Sequence, residues 1–131
     1  MSNVAEFANV TPLWEDLSMF GGEISVPEQL DAVFSVDGYH ELHYATEPER
    51  PSRQPMSPAD NTRVTDVAGV TASIFRTMKP GGLYIIADYA AAKGAGWKDA
   101  DALQLSDEDA VETEVLAAGF LLDGQSNALA N

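Results

Sequence analysis

The 131-residue sequence contains no cysteine, which excludes a disulfide framework, a thiolate metal centre and a cysteine nucleophile. A reducing cytoplasm is the natural expectation. Basic residues are scarce: 7 Lys and Arg stand against 21 Asp and Glu, for a net charge of −14. Nucleic acid and anionic membrane are not expected as unaided partners, because phosphate binding depends on basic side chains displacing counterions. The acidity itself reads as a solvated surface. No apolar run approaches the ~20 residues that span a bilayer. Met1–Asn9 has neither the basic region nor the apolar stretch of a signal peptide.

What is present suits one globular domain over residues 1–131, with 45% hydrophobic and 8% aromatic residues. Val10–Trp14 (VTPLW) reads as a short strand that Pro12 confines to an edge or a strand start. Leu30–Val36 (LDAVFSV) is almost continuously apolar, as a strand covered on both faces of a parallel sheet would be. Residues 45–61 form a proline-rich loop with Pro48, Pro51, Pro55 and Pro58. Ser57-Pro58 offers a helix start. An apolar stripe through Val64, Val67, Ala68, Thr71, Ile74, Phe75 and Met78 marks the helix itself. Lys79-Pro80-Gly81-Gly82 is expected to end that helix as a turn, and Leu83–Tyr89 (LYIIADY) is the clearest strand. Ser106 is expected to cap a second helix with Val111, Val115 and Ala118 inward; Gly119 stops it and Phe120–Ser126 follows as a last strand. Strands alternating with helices predict an α/β fold with a mostly parallel sheet.

Four of these segments, in order, resemble the class I S-adenosylmethionine-dependent methyltransferase superfamily. FANVTPLWEDL (Phe7–Leu17) is similar to its third strand, and LDAVFSVDGYHELH (Leu30–His43) to the fourth strand and the motif after it. IFRTMKPGGLYIIADY (Ile74–Tyr89) resembles the helix, turn and fifth strand, and EVLAAGFLLDGQSN (Glu114–Asn127) the next helix and sixth strand. YHELH and ADYAAAKGAG are most similar to a group of bacterial proteins described as predicted methyltransferases. The resemblance implies a partial Rossmann-like domain, S-adenosylmethionine as cofactor and a small-molecule methyl acceptor. The family's first two strands, its glycine-rich cofactor loop and its last strand have no counterpart here; no G-x-G-x-x-G occurs. In the family's strand order, 3-2-1-4-5-7-6, that leaves an apolar edge on the fourth strand. Val10–Trp14 is therefore expected to move against Leu30–Val36, or a homo-oligomer to complete the edge.

Ligands of open parallel sheets sit beyond the carboxyl ends of the strands. Asp37, Tyr39, His40, Glu41 and His43 follow one such end, Asp88 and Tyr89 another, and both groups are expected to face one crevice. By the resemblance, His40 or Tyr39 stands near the methyl acceptor, with histidine suited to take its proton. Asp16, Asp37 and Asp88 fall on the cofactor side, Asp16 towards the adenine amino group. The alternatives stay open: His40 as a strand-end cap, His43 packed or solvated, Asp16 a plain loop carboxylate, Asp88 a backbone cap. Trp14 and Trp97 either stack on a flat ligand or pack in the core. Arg50, Arg53 and Arg63 hold an anion or are solvated. The two histidines of His40-Glu41-Leu42-His43 lie three apart, where a zinc helix needs four, so no metal is expected. The expectation is a methyltransferase-like protein that does not hold S-adenosylmethionine normally as this chain alone; the alternative is an active S-adenosylmethionine-dependent methyltransferase acting on a small molecule, by itself or through an oligomer.

Overall fold

The structure, a computed structural model, describes residues 9–10, 24, 26, 28–44 and 65–129. Asp16, Trp14, Arg50, Arg53, Arg63, the proline-rich segment and the Ser57-Pro58 helix start lie outside the described residues, as does most of the expected first strand; its Val10 is exposed and not in a strand.

Leu30–Val36 forms β1, followed by a 3₁₀ turn at His40–His43. Then come α1 (Val67–Thr77), β2 (Met78–Ala87), the single turn α2 (Ala100–Leu103) and α3 (Glu108–Ala117). β1 and β2 run parallel, in register from Ala32 opposite Leu83 to Val36 opposite Ala87. With α1 between them in sequence, they form a small α/β unit. Among the described residues these two strands are the whole sheet. Alternation gives the pair two faces. Val33 and Tyr84 face the core built on Val70, Ile74 and Met78, while Phe34, Val36, Leu83 and Ile85 point away from it and are exposed.

Four local expectations change in the structure. α1 is capped by Asp66, whose carboxylate accepts the Gly69 N–H at 2.9 Å. Lys79-Pro80-Gly81-Gly82 is not a separate turn before the strand but bulges out of β2, opposite Asp31, where the register breaks. Gly81 takes φ +80 there, and a Cβ on Gly82 would lie 3.0 Å from the Lys79 carbonyl oxygen and 3.1 Å from that of Asp31. These two positions need glycine. α3 is capped by Asp107, which accepts the Asp109 N–H, and not by Ser106. Ser106 is held instead in a parallel bridge with Ala90.

The expected last strand is the fourth change. Residues 120–126 carry no strand, and Leu121 is 90% exposed. Gly119 turns the chain at φ +112, and Phe120 packs edge-on against Phe75 and beside Tyr84. β-favouring composition makes a strand only where a neighbour supplies ladder partners, and among the described residues none flanks this segment.

Candidate functional site

Residues just past the carboxyl ends of β1 and β2 converge. Asp37 leaves β1 with φ +50, and its N–H donates to the Ala87 carbonyl at 2.8 Å, carrying the pairing one step beyond the strand. The chain then drops Tyr39 and His40 inward, at 0% and 1% exposure. Asp88, the first residue after β2, meets His40 twice. One carboxylate oxygen accepts the His40 backbone N–H at 2.9 Å, and the other lies 2.9 Å from the ring Nδ1. Ser106 Oγ donates to Asp88 at 2.8 Å and the Tyr89 N–H at 3.1 Å.

Asp88 thus accepts four donors from three residues. A carboxylate can only accept, so it assigns the proton of the neutral imidazole to Nδ1 and leaves the lone pair on Nε2. Nε2 has no hydrogen-bond partner among the described residues. Asp37, His40 and Asp88 bring ligand atoms within 4.8 Å of one another, a spacing a cation could bridge. An ion bound through Nδ1 would have to displace the ring proton there, and any ion on Asp88 would compete with the serine and backbone donors already on it. The donor set is that of a charge-assisted hydrogen-bond network.

A second network forms one turn on. Glu114, from α3, accepts the Tyr39 hydroxyl at 3.0 Å and His43 Nε2–H at 2.9 Å on one oxygen, and the Trp97 indole N–H at 3.0 Å on the other. The His43 ring lies flat on Trp97, centroids 3.5 Å apart and planes 5° from parallel. Burial first, and then the Glu114 charge, push the Tyr39 phenol well above the ordinary tyrosine range. Beneath the sheet, burial pushes the Tyr84 phenol up to about 12, against a hydrogen bond with Ser35.

The YHELH segment therefore works as a double fastener. His40 ties the end of β1 to the end of β2, while Tyr39 and His43 tie it to α3 and to the loop carrying Trp97. Of the expected site residues, His40 and Asp88 come together with Asp37 beside them, Tyr39 turns into the Glu114 network, and Asp16 lies outside the described residues. Glu41 and Tyr89 are exposed.

Ser106 and Glu114 were not expected at the site. Glu114 left a signal: it follows Val111 by three positions and precedes Ala118 by four, so it interrupts the inward stripe of α3 with a carboxylate. Ser106 left none, since serine before an acidic helix start reads as a cap. Trp97, weighed between ligand stacking and core packing, stacks on a protein ring. Comparison of the chain with family models, with curated proteins and with solved structures finds no match.

Proposed function

We propose that the chain is a methyltransferase-like, Rossmann-like α/β unit that does not take up S-adenosylmethionine normally or transfer methyl groups by itself. The observation that carries this is the commitment of both histidines. His40 and His43 are each held by a carboxylate, with side-chain exposures of only 2% and 12%. Groups engaged in this way hold a fold together, whereas a base working on a substrate has to be reached by it. The absence of a glycine-rich cofactor loop from these residues points the same way.

One feature favours a second reading, an active methyltransferase. His40 Nε2 carries a lone pair, its ring is oriented by Asp88, and the pair sits beyond the carboxyl ends of two parallel strands, where α/β folds bind ligands. S-adenosylmethionine would supply the methyl group there. Nε2 would take the proton that a hydroxyl or amine acceptor loses as its heteroatom bonds to the methyl carbon and the methyl–sulfur bond breaks, its electron pair going to the sulfur of departing S-adenosylhomocysteine. The two readings part on His40→Ala. The first expects a lowered melting temperature and only background methyl transfer before and after the change. Turnover that vanishes in a variant still folded by circular dichroism would establish the second.

A further inference from the structure

The chain contains two Asp-Gly steps, Asp37-Gly38 and Asp123-Gly124, and the fold treats them in opposite ways. Aspartate followed by glycine is the aspartyl sequence most open to rearrangement of its own backbone, because no glycine side chain obstructs the approach of the nitrogen to the carboxyl. The approach has one geometric demand: the peptide plane between the two residues must turn until its nitrogen faces Cγ. Where the flanking backbone is held, that turn requires local unfolding.

Asp37-Gly38 is held on both sides. The Asp37 N–H donates to the Ala87 carbonyl at 2.8 Å, and the Gly38 carbonyl accepts the Glu41 N–H at 3.3 Å. Directly behind lie Tyr39 and His40, both buried. Turning this peptide would draw them out of the Glu114 and Asp88 networks. Asp123-Gly124 is held on neither side. No backbone–backbone hydrogen bond among the described residues involves residues 120–126, and residues 121–129 are all exposed. A Cβ on Gly124 would meet nothing within 4 Å, so nothing crowds the nitrogen.

We infer that Asp123-Gly124 is a site of spontaneous isoaspartate formation, and that the fold protects Asp37-Gly38 from the same reaction. The Gly124 nitrogen bonds to Asp123 Cγ, a Cγ–O bond breaks, and that oxygen departs as water with the amide proton and the carboxyl proton. Water then opens the succinimide ring. Attack at Cγ restores aspartate; attack at the backbone carbonyl carbon leaves the chain running through Cγ, one methylene longer. One water is lost and one regained, so the mass of the chain is unchanged.

Storage of the chain in neutral buffer below its melting temperature tests this. Digestion with an endoproteinase that cuts before aspartate but not before isoaspartate, followed by mass spectrometry of the peptides, reads both sites. Isoaspartate should accumulate at Asp123 at least about tenfold faster than at Asp37 in the folded chain. In guanidinium chloride the two rates should come within about threefold of each other, since both steps then have free backbones. Gly124→Val should suppress the product at Asp123 and leave the melting temperature unchanged, because the added side chain enters open space. Three results would overturn the inference. Equal rates in the folded chain would deny protection by the fold. A difference that persists undiminished in denaturant would give the preference to local sequence alone. Product at Asp123 only in denaturant would mean that the fold holds this step as well.

Discussion

Replacing Glu114 by alanine should loosen the whole YHELH segment, and its cost follows from the donors left behind. Three groups give a hydrogen to this carboxylate: the Tyr39 hydroxyl, the His43 ring N–H and the Trp97 indole N–H. A buried donor stripped of its acceptor costs about 1–3 kcal/mol. The three do not contribute equally. Tyr39 has no solvent exposure, yet its hydroxyl can also use Thr71, which lowers its share. His43 keeps only 12% side-chain exposure and cannot turn to water without leaving the Trp97 stack. A total of about 2–4 kcal/mol is expected, less than the simple sum because the three share one acceptor. Against a stability of about 5–15 kcal/mol for a whole domain, that is a large fraction. At roughly 3–5 °C per kcal/mol for this size, the melting temperature should fall by about 6–20 °C. Glu114→Gln retains one acceptor and lets His43 change tautomer, so about 1 kcal/mol is expected. Urea and thermal denaturation followed by circular dichroism at neutral pH measure both. Glu114→Ala melting within about 2 °C of the parent would refute the reasoning, since stripping one buried and two half-buried donors of their acceptor is not that mild.

Three further outcomes follow from the same structure. Tyr39 and Tyr84 both titrate higher in the fold than the ordinary tyrosine value of 10.0. The unfolded chain therefore loses these protons first, so their contribution is intact below pH 10 and drains away towards the folded value, about 12 for Tyr84. Urea midpoints should hold level from pH 8 to about 10 and then fall; Tyr84→Phe should make that fall shallower. Gly119→Ala places a Cβ 3.2 Å from the Phe75 ring at a backbone φ of +112, and a loss of about 1–3 kcal/mol should appear in the melting curve. Lys79→Ala removes an ion pair whose side chains are 48% and 85% exposed; the change should be below about 1 kcal/mol and shrink further in salt.

How much of this was legible beforehand differs from element to element. β1 and the Leu83–Ala87 half of β2 could be read because each is an almost continuously apolar run, and their parallel pairing follows from the helix between them. The nearness of His40 and Asp88 was legible once both were placed at carboxyl ends of neighbouring strands. Local chemistry was ambiguous where two residues could do one task. Ser106 and Asp107 are both good caps, and only a carboxylate 18 positions away draws the serine off to Asp88. Glu114 meets Tyr39 across 75 positions, a pairing no local pattern encodes. Residues 120–126 had the composition of a strand, but a ladder needs a neighbour, and composition is silent about neighbours.

Calorimetric titration of the folded chain with S-adenosylhomocysteine and S-adenosylmethionine goes most directly to the central claim, that this unit does not take up the cofactor by itself. The account predicts no saturable heat with either compound up to about 1 mM, equivalent to binding weaker than roughly −4 kcal/mol. Micromolar, one-to-one binding that is lost in Asp88→Asn, with that variant still folded, would contradict it.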